Sequence, residues 1–366
     1  MSVQISTSTV FGIGLQSAFE TLQTQDANFR YYAFTGLGYA PQQPVAQLPT
    51  EAGQSIMSRG QYKTGFWGAG PMNLVPRLDQ NIGALLLALL GKDTYTADTG
   101  IAGTATGCSL HELSFNTAEE DLPYFTVRRR LPHTVVANRL GEIVADNRLG
   151  NAELSFPAVG PMTASLDISG RGVTFDNNPS WVGATYDNDD AFALMVDPSS
   201  KVIVEGAELA ATNAVITINN NLIPADQMRV TGSYAPKDYP CTGRAASVRI
   251  TAFLEDYELY SRIFTNGAFG DSMPWSSQVY KGDVDIRAFS PLKFGTAPDE
   301  FQYAIQFRNG VLGTENNVAW SLQNANIQPG QPIMLTLLGT LQRRSGGVPF
   351  QVRLQNNVTT EYALPA

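Results

Sequence analysis

The sequence PMTASLDISG at residues 161–170 alternates apolar and polar side chains. Its apolar members would point to one face of a strand and its hydroxyl and carboxylate side chains to the other. The same alternation recurs at residues 152–156, 248–253, 284–288 and 301–307. Strands with one buried and one polar face are typical of antiparallel sheets in a sandwich or barrel. The chain is therefore predicted to be mainly β.

These segments recur in the same order in both halves of the chain. The stretch PMTASLDISG is matched by PIMLTLLGT, which begins at Pro332. Gly91 and Gly267, each of which follows a predicted helix, are separated by nearly the same interval. A period of half the chain is too long for a solenoid unit and has the size of a domain. The sequence predicts two tandem domains of one fold, residues 1–180 with an N-terminal arm and residues 181–366 with a C-terminal arm.

The first predicted helix covers residues 82–90, which are apolar nearly all round. Asp79 is suited to the N-cap position, and Gly91 can adopt the left-handed conformation that ends a helix. A helix without a polar face is expected to be deeply buried or to lie in a subunit contact.

The second predicted helix covers residues 254–264 in the other half of the chain. Glu255 and Asp256 at its start and Arg262 in its last turn suit the helix dipole. Each half is thus expected to combine β-sheet with one flanking helix.

Several segments lack periodicity and are predicted to be loops or arms. Residues 93–120 are rich in Gly and Thr, and residues 170–190 have the Asn, Asp, Gly and Pro content of a linker. Both ends of the chain, residues 1–40 and 345–366, are predicted to be extended. Loops of this length are usually functional or become ordered on a partner.

A catalytic or metal site is not indicated by the residues that such sites need. The histidines are His111 and His133, and Cys108 with His111 gives a C-x-x-H spacing without a second ligand pair. A Gly-x-Ser-x-Gly elbow is absent, and the glycines of GFWGAG at residues 65–70 are interpreted as tight strand turns. The run DNDD at residues 187–190 favours a solvated linker over a cation site, because it lacks the glycine and glutamate of a calcium loop. We predict no catalytic, cofactor-binding or metal-binding residues, and no enzyme.

The charge balance argues against a protein that clamps nucleic acid. The net charge is −9, and the basic cluster at residues 128–130 should alternate across a strand, which favours interface salt bridges over a DNA-reading patch. Cys108 and Cys241 are more consistent with free thiols than with a disulfide, although either is open. The longest apolar run, residues 84–90, is too short to span a bilayer, and residues 1–9 lack the basic region of a signal peptide.

Five segments, spread over most of the chain, are similar to one known family. They are FGIGLQSAFETLQ at residues 11–23, GFWGAG at residues 65–70, LLALLG at residues 86–91, LPYFTV at residues 122–127 and ITINNNL at residues 216–222. Together they resemble the tail tube (major tail) proteins of long-tailed, non-contractile bacteriophages, in particular the type with two fused tube domains. Residues 18–20 depart from the family, because they do not reproduce its Gly-Thr element.

The resemblance implies two tandem tail-tube-like β-sandwich or barrel domains, each with a flanking helix, whose sheets join those of neighbours around a channel. Six units per ring are usual in the family, so a fused pair implies a homotrimer with pseudo-sixfold symmetry. Rings would stack axially through the arms and residues 93–120. The implied partners are the tape measure protein in the lumen and the tail terminator and tail tip proteins. DNA would pass without specific binding, no membrane or cofactor would be involved, and the subunit would assemble in the host cytoplasm into the virion tail.

Other classes of protein compete with this interpretation. A two-domain β-sandwich glycan binder or adhesin would expose aromatic side chains such as Trp181 and Trp275 and hold calcium. A glycan-active enzyme would need two carboxylates facing one cleft, and the sequence indicates no such pair. Within the structural class, a head–tail connector or a capsid decoration protein is the alternative.

Overall fold

The computed structural model describes residues 9–48, 60–115, 122–133, 135, 138–177, 179, 181, 192–255, 257–267, 270, 272–294, 301–309, 317–326, 328–342 and 350–365. This part of the chain contains 24 strands and two α-helices, so the prediction of a mainly β fold is confirmed. Two large antiparallel sheets hold all but two of these strands.

Fourteen of the described strands form the larger sheet. They are β1 (Val10–Leu15), β2 (Phe29–Tyr31), β3 (Gly36–Leu37), β4 (Ala40–Gln42), β7 (Trp67–Leu74), β11 (Phe125–Leu131), β12 (Leu140–Pro157), β13 (Thr163–Gly170), β14 (Gly172–Asn177), β17 (Ala211–Asn219), β18 (Ala245–Phe253), β19 (Lys281–Gly282), β22 (Val318–Asn326) and β23 (Met334–Leu341).

Eight described strands form the smaller sheet, and β5 (Val45–Gln47) pairs with β6 (Gln61–Lys63) separately. The eight are β8 (Gly91–Lys92), β9 (Tyr95–Gly100), β10 (Gly103–Phe115), β15 (Lys201–Val204), β16 (Ala207–Glu208), β20 (Val284–Phe294), β21 (Phe301–Arg308) and β24 (Gln351–Asn356).

The larger sheet contains the same strand order twice. Its first unit runs β4, β7, β13, β12, and the second continues beside it as β17, β18, β23, β22. Every neighbouring pair along this path is antiparallel. A helix follows the second strand of each unit: α1 (Gln80–Leu90) follows β7, and α2 (Glu258–Thr265) follows β18. The recurrence that was visible in the sequence is thus a recurrence of paired strands.

Helix α1 matches its prediction at both ends. The Asp79 side chain accepts a hydrogen bond from the Asn81 backbone N–H at 3.2 Å, and Gly91 is left-handed with φ 95°. The apolar side chains from Ile82 to Leu90 pack into the main core, and all of these residues except Ala84 are buried. Burial accounts for the missing polar face of this helix.

Helix α2 begins later than predicted. It starts at Glu258 instead of residue 254, because the Leu254 N–H still donates to the Ile333 carbonyl at 2.9 Å and continues the pairing of β18 with β23. Glu255 therefore precedes the helix, and Asp256 lies outside the described residues. The C-terminal end is close to its prediction, since Asn266 takes the left-handed position with φ 56°.

The predicted loop at residues 93–120 is wrong for most of its length. Strands β9 and β10 occupy it, and β10 pairs with β24 from the end of the chain. Glycine and threonine content indicated a loop, but pairing with a strand that is distant in sequence overrides that local tendency. Residues 116–120 lie outside the description.

Two of the three glycines of GFWGAG are also not turn residues, whereas Gly65 lies in the connection between β6 and β7. Gly68 and Gly70 lie inside β7, where a side chain would collide with neighbouring segments: a Cβ at Gly68 would stand 2.4 Å from the Tyr39 hydroxyl, and one at Gly70 2.4 Å from the Gly38 carbonyl oxygen. Close approach of the chain, and not a turn, requires glycine here.

The predicted linker and arms also contain paired strands. Residues 172–177 of the linker form β14, whereas DNDD at residues 187–190 lies outside the described residues. The N-terminal arm contributes β1 and β2 to the larger sheet, and the C-terminal arm contributes β24 to the smaller one.

One hydrophobic core joins residues from both halves of the chain. Phe156 from β12 packs edge-to-face against Phe307 from β21, with ring centroids 5.3 Å apart. Phe115 likewise contacts Phe350 at 6.2 Å. Strands from both halves also share both sheets, through the pairings β12–β17 and β10–β24. The division at residues 180/181 stays a prediction, but the described parts of the two halves are packed as one body.

Candidate functional sites: buried polar links and sheet edges

Cys108 and His111 lie on β10, whereas His133 and Cys241 lie outside that strand. His133 makes a local turn, with its Nδ1 3.0 Å from the Val135 backbone nitrogen. Cys108 is buried and Cys241 half-buried, and both thiols are free, as favoured from the sequence. Within the described residues, no three His, Cys, Asp or Glu side chains converge to hold a metal ion. The described helices include none that is long and apolar enough to cross a membrane.

His111 lies on β10 at the centre of a buried link to the end of the chain. Its Nδ1 is 2.8 Å from Asp93 Oδ2 and its Nε2 is 3.0 Å from the Val358 carbonyl oxygen. Both partners are acceptors, so a ring nitrogen that carries a proton donates to the one it faces. The Tyr362 N–H donates to the same Asp93 oxygen at 2.9 Å. This cluster ties the C-terminal segment to the first half of the chain.

Tyr362 completes the link on the surface of α1. Its ring lies 4.5 Å from the His111 ring, and its hydroxyl accepts a hydrogen bond from the Asn356 side chain at 3.0 Å. Burial raises the pKa of the Tyr362 phenol, so the side chain stays neutral. The ring rests on Gly83, where a Cβ would stand 2.0 Å from it. A glycine inside a helix is thus explained by contact with the chain end.

The basic cluster on β11 forms its ion pairs within the chain. Arg128 pairs with Asp26 and lies 3.9 Å from the centroid of the Phe29 ring. Arg129 pairs with Glu142 at 2.5 Å. Arg128 and Arg130 are buried and Arg129 is partly exposed, so the predicted alternation is confirmed. The interpretation of interface salt bridges is wrong for Arg128 and Arg129, because Asp26 and Glu142 of the same chain already supply their carboxylates.

The two tryptophans of the glycan-binding alternative have opposite environments. Trp181 is only 6% exposed and lies beside Arg128, so the expectation that it is exposed is wrong. Trp275 is 75% exposed in the segment after α2.

A polar row crosses the smaller sheet and joins the two halves. Glu112 on β10 lies 2.9 Å from Arg353 on β24 and 3.2 Å from Arg308 on β21. Desolvation, followed by the neighbouring Arg308 charge, lowers the pKa of Arg353. Since one carboxylate is shared by two guanidinium groups from the other half, the row favours a single register between β10 and β24.

The two ends of the repeated strand path carry no charged side chain. At one end, β22 reads VAWSLQNAN; at the other, residues 36–42 read GLGYAPQ. Natural sheets usually protect exposed edges with charges, Pro or covering segments. Apart from Pro41, these edges lack such side chains, so they are candidate assembly surfaces.

Sequence reasoning missed both the His111 link and the sheet edges. The partners of His111 lie 18 and 247 residues away in sequence, and only the fold brings them together. The absence of charged residues at the two edges can be read from the sequence. That absence identifies an edge only once the strand order is known. Gly83 within an apolar helix was a further signal of close packing.

Comparison with known proteins agrees with this architecture. No curated protein matched the chain. A family model described as Phage tail tube protein matches residues 6–338, nearly the whole chain. The chain belongs to the phage tail tube protein family and is a structural subunit that self-assembles into the tube of a phage tail.

Proposed function

We propose that three copies of this chain form one ring of the tail tube, with residues 1–180 and 181–366 acting as two tandem tube domains. The supporting observation is the strand order β4, β7, β13, β12, which is repeated as β17, β18, β23, β22 in one sheet. Two similar units per chain let a three-chain ring present six similar units. Contacts between unlike edges can close into rings, which leaves no edge unpaired.

The rings stack axially around the tape measure protein, and the tube ends contact the tail terminator and tail tip proteins. Assembly takes place in the host cytoplasm, and the tube then conducts DNA. The net charge of −9 supports passage without specific binding, because an acidic surface repels phosphate. The chain acts as a scaffold and not as an enzyme.

Electron microscopy of the purified protein at rising concentration tests this function. We expect rings with a central hole that stack into tubes. The mass of an isolated ring should equal three chains of 39.6 kDa. Six chains per ring would contradict the trimer, and a protein that stays monomeric even with the tape measure protein present would contradict ring formation itself.

A further inference from the structure

A cleft of about 160 Å³ lies beside α2, in the second half of the chain. Its walls come from α2 and from the turn between β15 and β16, and its floor comes from β18 and β23. None of the eight described residues of α2 is buried, whereas the apolar side chains of α1 pack into the main core. The second helix thus rests on the sheet without closing the space next to it.

The floor of this cleft is apolar. Ala252, Leu335 and Leu337 are buried core residues that line it, and Leu259 of α2 adds a partly buried apolar side chain. A cavity of about 150 Å³ with walls of this kind has room for a benzene-sized group. The cleft can therefore hold the apolar part of one side chain.

Carboxylates surround the apolar floor. Glu205 and Glu208 come from the β15–β16 turn, and Glu255 and Glu258 come from α2 and the segment just before it. Among the described lining residues, Arg262 supplies the one guanidinium that faces these four carboxylates. Negative charge is in excess around the cleft, so a cation is the complementary ligand.

Ion pairs within the chain neutralise only part of this charge. Glu258 pairs with Arg262 along α2, and Glu208 pairs with Lys201 at 2.8 Å. The side chains of both pairs are one third or more exposed to solvent, so water weakens the two interactions. These pairs can rearrange around an arriving cation with a small loss of free energy.

Glu205 is partly withdrawn from water. Its carboxylate accepts a hydrogen bond from the Asp283 backbone N–H. Desolvation raises the pKa of Glu205 and the Asp283 carboxylate acts in the same direction, whereas the Asp283 N–H, the Tyr280 side chain and the charge of Arg262 lower it. A further cation beside Glu205 would favour its ionised form. The cleft thus contains a carboxylate that a cationic ligand would stabilise.

We propose that this cleft binds an arginine side chain presented by a partner protein, with the methylene stem along the apolar floor and the guanidinium among the carboxylates. Arginine suits both parts of the cleft, because its stem packs on apolar surface while its head stays charged. The planar guanidinium donates to carboxylates in pairs and is more weakly hydrated than the lysine ammonium. Anionic ligands such as phosphate groups would be repelled.

The first helix shows that an inserted side chain can complete the packing of such a helix. Tyr362, which comes from the far end of the chain, rests on Gly83 of α1 and is fixed there by hydrogen bonds. In the part of the chain that the structure describes, no side chain fills the cleft beside α2. The partner would supply to α2 what the chain end supplies to α1.

Fluorescence anisotropy with a labelled peptide tests the proposal on the intact chain. The peptide carries one arginine between two leucines, because the exposed Phe253 ring also lines the cleft. The matched peptide carries citrulline, which has nearly the shape of arginine without its charge. We expect saturable binding of the arginine peptide and about ten-fold weaker binding of the citrulline peptide, because charge-assisted hydrogen bonds to carboxylates are lost.

Variants of the chain locate the binding site. Glu208→Gln together with Glu255→Gln removes one carboxylate from each wall and should weaken binding of the arginine peptide about ten-fold. The matched control, Glu153→Gln with Glu361→Gln, removes two exposed carboxylates that do not line the cleft, and it should bind as the wild type does. Ala210→Leu narrows the cleft without changing its charge and should also weaken binding.

Equal binding of the two peptides would overturn the proposal, because the charge of arginine would then not matter. Equal binding by the wild type and the Glu208/Glu255 variant, or no saturable binding at all, would overturn it as well. The same titration on assembled rings or tubes should give an unchanged affinity. If assembly abolishes binding, a second copy of the chain fills the cleft and the separate partner is excluded. Binding by the unassembled chain is decisive even if no ring forms, so the two proposals fail independently.

Discussion

At the level of single residues, His111 is held between two acceptors with no access to water. Replacing it with Phe would remove the ring nitrogens that face the buried Asp93 carboxylate and the Val358 carbonyl oxygen, and would leave that carboxylate with the Tyr362 N–H. We expect His111→Phe to lower the free energy of unfolding by about 1–3 kcal/mol, the usual cost of leaving a buried polar group without its hydrogen-bond partner. Urea denaturation measures the change.

The double variant His111→Phe with Asp93→Leu is the control for this link. It removes both partners, so the Asp93 carboxylate is no longer buried without its hydrogen bond to His111, and part of the lost stability should return. If the single and double variants are equally stable, the hydrogen bond between His111 and Asp93 contributes nothing to the free energy of unfolding beyond the packing of the two side chains.

The two thiols should differ in reactivity. Burial raises the pKa of the Cys108 thiol to about 11, so almost none of it is the reactive thiolate at pH 8. Cys241 is only half-buried. We expect iodoacetamide to label Cys241 in the native protein and to label Cys108 only after unfolding, as mass spectrometry would detect. Labelling of both at one rate would contradict the described burial.

Among the helices and strands, the contact of α1 with the chain end predicts that the effect of Gly83→Ala on stability reverses when Tyr362 is removed. Alanine normally stabilises a helix relative to glycine by about 1 kcal/mol. In the wild type, Gly83→Ala should instead destabilise the protein, because its methyl group would collide with the partly buried Tyr362 ring. With Tyr362→Ala already present, Gly83→Ala should stabilise. Thermal unfolding of the four proteins forms the test, and the same sign in both backgrounds would contradict the contact.

An element could be predicted from the sequence where residues close together in the chain determine it, and could not where distant residues do. Asp79 and Gly91 bracket α1 with local hydrogen bonds, so both its ends were predictable. The start of α2 was not, because pairing of residue 254 with Ile333 delays it. Residues 93–120 have the composition of a loop but form strands whose partner, β24, lies at the far end of the chain.

The candidate assembly surfaces follow the same rule. The lack of charge in residues 36–42 could be read from the sequence, whereas their position at the end of a strand path could not. The His111 link had no readable signal, because a lone buried histidine gives no indication of its partners. The composition of a short segment can thus be read from the sequence. What that segment contacts depends on strand pairings that a single sequence does not reveal.

For the whole molecule, the decisive feature is that two repeated units share one core. β12 would lose β17, and β10 would lose β24, if the halves were separated at residues 180/181. Each half would then expose apolar side chains such as Phe156 and Phe307, together with unpaired strand edges. We therefore expect residues 1–180 and residues 181–366 to be insoluble or unfolded when expressed alone, and to copurify as a folded complex when expressed together.

Circular dichroism and a pull-down through a tag on one half measure this dependence. A protease site placed within residues 182–190 provides the matched control, since a chain cut there after folding should keep its halves together and its unfolding transition nearly unchanged. A cooperative unfolding transition in either isolated half would contradict the shared core. If the halves do depend on each other, each unit is stabilised by the unit that follows it.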